Sequence, residues 1–289
     1  MTLARRPVGV VTDSASDLPE EIVRAHGIKV VPLVLVRGDG TLRDGVDITA
    51  EEFHQALREK GDLPTTSQPP PGAFVEAYRR AAEEAENVVG VMVGSNLSGT
   101  FGSAEAAAFH FDGGPVHLVD SLGASLLQGL MVLKAAEMAE MARSPVEIVE
   151  ELKRIRSQSG VVLTVDSLSR LMASGRVGRG KAWLAGAFGI KPIFWVPTDG
   201  RAVEPAGKAL GRKRMLPAVM AVLRERLPSR VENIRFGVSH VGCPERVEEV
   251  TTALRAEYGD VEILSAPATP VIATHTGIGA WAVSFLLED

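Results

Sequence analysis

This chain of 289 residues is short of cysteine and of long apolar runs. Its one cysteine, Cys243, excludes an intrachain disulfide framework and fits a reducing compartment. No stretch approaches the roughly 20 apolar residues that a membrane-spanning helix needs. The apolar run 8–11, which follows Arg5 and Arg6, is too short for a signal peptide. These absences predict a cytoplasmic protein.

An excess of basic residues is also missing. Lys and Arg number 31 against 36 Asp and Glu, which gives a net charge of −5. A nucleic-acid-binding domain normally carries a basic patch or stripe, so nucleic acid is not an expected partner. The hydrophobic share of 45% is ordinary for a soluble globular protein, and the length is sufficient for two domains.

The common signatures of catalysis and cofactor binding are absent as well. The sequence contains no Walker A motif, no dinucleotide-binding glycine fingerprint and no G-x-S-x-G elbow. Its six histidines show neither H-x-x-x-H nor HExxH spacing. We therefore expect no metal and no cofactor, and a serine triad has weak support.

The order of strand and helix patterns indicates an α/β protein of two domains. Strands and helices alternate over 1–157, which predicts a parallel sheet covered by helices. The pattern changes over 158–289 to a mixed α+β arrangement, and the segment 265–289 is expected to return to the interface. Within the first domain, Ile28–Val36 is predicted to be one buried strand, and Asp17 is predicted to be a helix N-cap.

Three short hydroxyl-rich segments are predicted to be loops where strands end or helices begin: 12–14, 65–69 and 95–100. In parallel sheets, ligands bind where strand carboxyl ends meet helix N-termini, and the unpaired N–H groups there attract anions. Gly99 allows a tight turn, and the hydroxyl groups around it can donate hydrogen bonds. The pattern favours an anion-binding site, although helix capping alone would explain the same residues.

Three charged or titratable side chains are further candidates. Asp13 could cap its loop, accept a hydrogen bond or act as a general base, and its neighbours favour a structural role. His275 lies in a loop bracketed by glycines, where a titratable donor has a defined backbone setting. Arg176 and Arg179, between glycines, could clamp a carboxylate or phosphate with their planar guanidinium groups, or could belong to a solvated loop.

Taken in order, these segments resemble the DegV family of bacterial fatty-acid-binding proteins. The matching segments span nearly the whole chain: 12–18, 66–69, 95–100 with 103–104, 120–121, 174–177, 191–192 and 275–279. The resemblance implies two α/β domains with an apolar tunnel that holds a long-chain fatty acid such as palmitate. It also implies a carrier that is not itself an enzyme and that presents the acyl carboxylate to a dihydroxyacetone-kinase-like fatty acid kinase, in phospholipid metabolism. A transient contact with a membrane surface is compatible with this role.

The resemblance also assigns residues. It implies that Thr66 and Ser95 hydrogen-bond the fatty-acid carboxylate, that His275 lies beside it, and that Arg176 is the arginine of the family's glycine-arginine loop. The supporting loops would contain Asp13, Ser14, Ser98, Gly99, Thr100 and Gly277. Candidate tunnel residues, which could equally be plain core, are Leu122, Leu126, Leu127, Leu130, Met131, Leu184, Phe188, Ile190 and Phe194.

The chain departs from the family pattern at three places. Gly94 stands where members often carry serine, Ile278 replaces a proline, and Leu210 falls near a position that is commonly basic. Two alternative functions stay open. One is a hydrolase or phosphotransferase using Asp13 and Ser95, which requires a base within reach of a nucleophile. The other is a regulatory or interaction module that uses the acidic surface.

Overall fold

The computed structural model describes residues 5–59, 64–177, 190–201, 203–228 and 231–288. Arg179 and two candidate tunnel residues, Leu184 and Phe188, lie outside the described residues. In chain order the first half contains β1 (Arg6–Asp13), a 3₁₀ turn (Ser14–Ser16), α1 (Glu20–Ala25), β2 (Lys29–Val31), β3 (Val34–Arg37), β4 (Gly40–Arg43), α2 (Ala50–Arg58), β5 (Thr65–Ser67), α3 (Pro71–Glu84), β6 (Ala85–Met92), α4 (Thr100–His110), β7 (Val116–Asp120), α5 (Leu126–Glu140) and α6 (Pro145–Arg156). The second half contains β8 (Gly160–Thr164), α7 (Leu168–Ala173), β9 (Ile190–Val196), β10 (Glu204–Leu210), a 3₁₀ turn (Arg212–Arg214), α8 (Met215–Arg226), β11 (Ile234–His240), α9 (Glu245–Tyr258), β12 (Glu262–Pro267), α10 (Pro270–Thr276) and β13 (Trp281–Leu287).

The first half is built on a four-stranded parallel sheet of order β2–β1–β6–β7. Alternate side chains of β6 enter different cores, because neighbouring residues of a strand face opposite sides of the sheet. Val88 and Met92 pack with α3 and α4, whereas Val89 and Val91 pack with α5. Helices therefore cover both faces, as the alternating pattern predicts.

The second half is built on a six-stranded mixed sheet of order β10–β9–β8–β13–β11–β12. Its pairings are antiparallel except for β11 with β12. The final strand β13 lies inside this sheet, between β8 and β11. Helices α8 and α9 cover one face, while α5 and α6 pack between the other face and the parallel sheet. The α/β class, with a parallel first sheet and a mixed second sheet, is confirmed.

One hydrophobic cluster extends across both sheets, from Val8 on β1 to Leu286 on β13. The predicted boundary at residue 157 falls between α6 and β8, and the division into two domains stays a prediction. In the described part of the chain, no helix has both the length and the apolar character needed to span a membrane.

A third sheet, of order β4–β3–β5, is antiparallel and corrects two sequence-based predictions. Ile28–Val36 is not one strand, because the chain leaves β2 at Pro32 and enters a different sheet as β3. Proline has no N–H group for a sheet ladder, and the N–H of Leu33 donates instead to the Ser14 hydroxyl, at 3.0 Å. The hydroxyl cluster at 65–67, predicted as a loop, forms the edge strand β5.

Asp17 is not a helix N-cap. It ends the first 3₁₀ turn with a φ of 52°, and α1 begins three residues later at Glu20. Its carboxylate is buried and accepts hydrogen bonds from the Ser125 hydroxyl and the Thr269 N–H. The residue therefore links segments that are distant in sequence, a role that local sequence cannot reveal.

Candidate functional site

A cavity of about 130 Å³ lies beyond the carboxyl ends of the parallel strands, where the three sheets and α10 meet. Residues just after β1, β2, β6 and β7 contribute to it, as expected for a ligand site of a parallel sheet. Most of its lining is apolar and comes from Ala15, Leu33, Val93, Leu97, Ala124, Val161, Leu163, Leu171, Val196, Val203, Val241, Ala268, Val271, Ile272, Ala280 and Ala282. An apolar cavity with few polar groups suits an apolar ligand whose polar end is held at a defined place.

Three of the predicted ligand residues come together in this lining: Thr66, His275 and Arg176. The Thr66 hydroxyl oxygen lies 2.8 Å from His275 Nε2, although the two residues are 209 positions apart. The Arg176 side chain donates from Nε to the Leu97 carbonyl oxygen at 3.2 Å, which places it beside the loop 95–100. The cavity thus combines an apolar wall with the hydroxyl, imidazole and guanidinium groups of these three residues. The other polar residues of the lining are Ser98, Ser125, Ser239, His240 and Thr276.

His275 is neutral at physiological pH. Burial lowers the pKa of its imidazole to about 4, and the positive charge of Arg176 contributes to this lowering. A neutral imidazole has one donor and one acceptor nitrogen, so it can hydrogen-bond Thr66 and keep its other nitrogen for a second partner. Burial also lowers the pKa of His240, the second histidine of the lining, so among the lining residues Arg176 supplies the positive charge.

The structure does not place Ser95 in the cavity lining; it places Ser98 there. The carbonyl of Gly94 accepts the N–H groups of Leu97 and Ser98, at 2.9 and 3.0 Å, and this turn leaves Ser95 exposed. The N–H of Ser95 donates to Asp120 Oδ1 at 3.1 Å. The motif alone cannot tell which hydroxyl of a tight turn faces inward.

Glycines allow the supporting loops to pack closely. A Cβ atom at Gly99 would overlap Gln68 Oε1, and the amide of Gln68 donates to the Ser103 hydroxyl at 3.2 Å. Gln68 therefore joins the segment 65–69 to the start of α4. Gly277, which ends α10 with a φ of 81°, packs against Arg170 in the same way. The remaining loop residue Thr100 shares a hydrogen bond of 2.8 Å with Ser98.

Asp13 is fully buried and joins two loops. Its two carboxylate oxygens accept the N–H groups of Ala15 at 3.0 Å and Val93 at 2.8 Å, and burial raises its pKa to about 6. The adjacent Ser14 hydroxyl donates to Asp44 at 2.6 Å. Because both oxygens of Asp13 hold backbone groups and Ser95 is exposed, the structure does not pair these two side chains.

The apolar wall differs from the sequence-based prediction. None of the described candidates, Leu122, Leu126, Leu127, Leu130, Met131, Ile190 and Phe194, is among the lining residues. Leu127, Leu130, Met131 and Phe194 are core residues instead. The lining comes mainly from small and β-branched side chains near strand ends, which periodicity does not distinguish. Among the described residues, no cluster of three His, Cys, Asp or Glu side chains could hold a metal ion.

Comparison with known proteins places the chain in a family. A family model described as "Uncharacterised protein, DegV family" matches residues 7–288. The chain belongs to the DegV family. A DegV domain-containing protein of Deinococcus radiodurans is 36% identical over 282 residues, which cover 96% of this chain and 97% of the relative.

Two solved DegV-family structures share the fold. One is a protein from Thermus thermophilus, at 36% identity and a TM-score of 0.89, covering 97% of this chain and 99% of that one. The other is DegV from Bacillus subtilis, at 30% identity and a TM-score of 0.86, covering 98% and 99%. Both are described as binding fatty acids. The resemblance drawn from the ordered motifs is confirmed.

Proposed function

We propose that this DegV-family protein binds a long-chain fatty acid, with the acyl chain in the apolar cavity and the carboxylate at its polar end. The observation that carries the proposal is the joint presence of Thr66, His275 and Arg176 in an otherwise largely apolar lining. The fatty-acid binding described for the Thermus thermophilus and Bacillus subtilis relatives supports it.

The chemistry of the polar end suits a carboxylate. The Arg176 guanidinium group carries the positive charge, and hydrogen bonds to an ionised carboxylate are roughly twice as strong as neutral ones. Thr66 and neutral His275 share one hydrogen bond, so together they offer one uncharged donor: the Thr66 hydroxyl if His275 Nε2 carries the proton, or His275 Nδ1–H if Nε2 accepts. Each buried CH₂ of the chain contributes about 0.8 kcal/mol, so the apolar wall supplies most of the affinity and the polar end sets the orientation.

We assign the second hydroxyl donor to Ser98 rather than to Ser95. Ser98 lines the cavity, whereas Ser95 is exposed and its backbone is held by Asp120. Because the two serines lie in the same turn, they offer a matched pair of variants. Removal of either hydroxyl takes one oxygen atom from the same loop, but only Ser98 lines the cavity. Because the Ser98 hydroxyl also accepts the Thr100 N–H at 3.2 Å, the stability of both variants is measured beside their binding.

The proposed role is that of a cytoplasmic carrier without catalytic activity of its own. A dihydroxyacetone-kinase-like fatty acid kinase would phosphorylate the bound carboxylate. The partial exposure of Thr66, Arg176 and His275 supports this step, since the inner wall at Val161 and Ala282 is buried. Because Asp13 and Ser95 do not pair with each other, the hydrolase or phosphotransferase alternative has no structural support.

Mass spectrometry of organic extracts from the purified protein tests the proposal. We expect wild type and Ser95→Ala to carry a stoichiometric fatty acid, and Ser98→Ala to retain less of it. A wild-type protein that carries no acyl chain and takes up none when it is added would contradict the function. Equal loss in both serine variants would contradict the assignment to Ser98. Addition of a purified fatty acid kinase and ATP then tests whether the bound acid becomes an acyl phosphate.

A further inference from the structure

Besides Asp13, two buried carboxylates have no cationic partner among the described residues. The side chains of Asp17 and Asp44 belong to residues only 2% and 1% exposed, and neither forms an ion pair in the described part of the chain. Burial raises the pKa of Asp17 to about 6 and that of Asp44 to about 7. Burying an unpaired carboxylate costs free energy, so the hydrogen bonds around these two groups indicate what the carboxylates hold in place.

Both carboxylates hold the start of α10. Asp17 Oδ1 accepts the N–H of Thr269 at 2.8 Å, and Asp44 Oδ1 accepts the N–H of Val271 at 3.2 Å. Pro270 between them has no N–H group, so the two carboxylates accept both backbone donors of residues 269–271. The other oxygen of each carboxylate accepts a hydrogen bond from a serine hydroxyl. Asp44 accepts from Ser14, and Asp17 accepts from Ser125.

The same network reaches the strand that carries Thr66. The N–H of Asp44 donates to the Leu33 carbonyl at 2.9 Å, and the N–H of Leu33 donates to the Ser14 hydroxyl at 3.0 Å. Leu33 leads directly into β3, which pairs with β5 so that Leu35 lies opposite Thr66. Asp44 is therefore connected on one side to the sheet of Thr66 and on the other to the helix of His275.

We propose that Asp44, assisted by Asp17, is a positioning residue of the fatty-acid site that holds β3 and α10 where Thr66 and His275 meet. The inference rests on the proposed function, because it concerns the same carboxylate-binding groups. Asp44 does not itself belong to the cavity lining, so its effect on a ligand passes through lining residues: Leu33 and Val271, whose backbones it contacts, and Thr66 and His275 beyond them. A purely structural role would lower stability without changing the surroundings of His275 in the folded protein.

The variant Asp44→Asn tests this role with little change in volume. Its amide oxygen can still accept the Val271 N–H, but its amide nitrogen cannot accept the Ser14 hydroxyl. NMR titration of the ligand-free protein should show the pKa of His275 rising from about 4 towards its ordinary value, because a looser α10 exposes the imidazole. Fatty-acid Kd should rise about tenfold, which is 1.4 kcal/mol and within the cost of one disrupted buried hydrogen bond.

Tyr78→Phe is the matched control. It removes a buried hydrogen bond, from the Tyr78 hydroxyl to the Ala104 carbonyl at 3.0 Å, where α3 packs on α4. It should lower stability and leave the His275 titration unchanged. The proposal is overturned if folded Asp44→Asn shows the wild-type titration of His275 and wild-type Kd.

Two further outcomes are also decisive. If Asp44→Asn does not fold, Ser14→Ala is judged by the same two measurements; it removes the hydrogen bonds of the Ser14 hydroxyl with Asp44 and Leu33 and keeps the bond between Asp44 and Val271. If wild type binds no fatty acid, the proposed function fails, whereas the His275 titration in the ligand-free protein still tests the positioning role by itself.

Discussion

At the scale of single residues, the charge of the proposed site comes from Arg176, because His275 is neutral. This division of roles follows from burial: the imidazole loses its proton in the apolar surroundings, while a guanidinium group keeps its charge under all ordinary conditions. A fatty-acid carboxylate would therefore meet one cation, one donor from the Thr66–His275 pair and the Ser98 hydroxyl. Neutral His275 helps to orient the carboxylate through hydrogen bonding and adds no charge to the site.

The variant Arg176→Gln tests this division. It keeps donors at the cavity but removes the charge, and a hydrogen bond to a charged group contributes about 1.5–3 kcal/mol. We expect fatty-acid Kd to rise by about ten- to a hundredfold, measured by competition with a fluorescent fatty acid. Arg143→Gln is the control, because Arg143 is exposed and pairs with Glu147 at the start of α6. An equal effect in both variants would contradict a local role of Arg176.

At the scale of elements, the contact between the segment 65–69 and α4 depends on the missing side chain of Gly99. A methyl group there would overlap the amide of Gln68, which would have to move and release Ser103. Gly99→Ala should lower the free energy of unfolding by about 0.5–1.5 kcal/mol, the net contribution of one hydrogen bond, because the displaced group is the end of a flexible side chain; it should also weaken fatty-acid binding.

Gly102→Ala, three residues further along the chain, is expected to raise stability instead. Gly102 lies within α4, and apart from its chain neighbours and the nearby backbone of the helix no atom stands within 4 Å of the position that a Cβ atom would take there. Alanine should stabilise this helix by about 0.5–1 kcal/mol, and fatty-acid binding should be unchanged. Urea unfolding of both variants measures the difference. Similar stability changes of the same sign would show that the Gly99 contact does not restrict the loop.

The elements also show what sequence can and cannot predict. The alternation of patterns predicts the parallel sheet, and the ordered motifs predict that Thr66, His275 and Arg176 belong to one site. The prediction of a single strand over Ile28–Val36 is wrong, because apolarity does not reveal that the chain enters another sheet after Pro32. The motif does not show that Ser98 rather than Ser95 lines the cavity, because this depends on how the backbone turns at Gly94. Asp44 gives no signal in the sequence, since its partners lie in segments remote from it.

At the scale of the whole molecule, the buried titratable groups act on stability in opposite directions. The folded-state pKa values of Asp13, Asp17 and Asp44 are raised, so the folded state binds more protons than the unfolded state between about pH 4 and 7. These groups lower stability as pH rises through that range. The lowered pKa of His275 does the reverse, because the unfolded state binds its proton first as pH falls below about 6.5.

The difference in unfolding free energy between wild type and Asp44→Asn isolates the contribution of the Asp44 carboxylate to this pH dependence. At pH 5 Asp44 is protonated in the folded protein, and at pH 8 it is charged and buried, whereas asparagine is neutral at both. The stability advantage of wild type over the variant should therefore shrink from pH 5 to pH 8, by roughly 2–3 kcal/mol. Urea unfolding at the two pH values measures it, and the Tyr78→Phe deficit should stay constant. An Asp44→Asn deficit that does not change with pH would show that this carboxylate titrates normally, and that its hydrogen bonds from Ser14 and Val271 offset its burial.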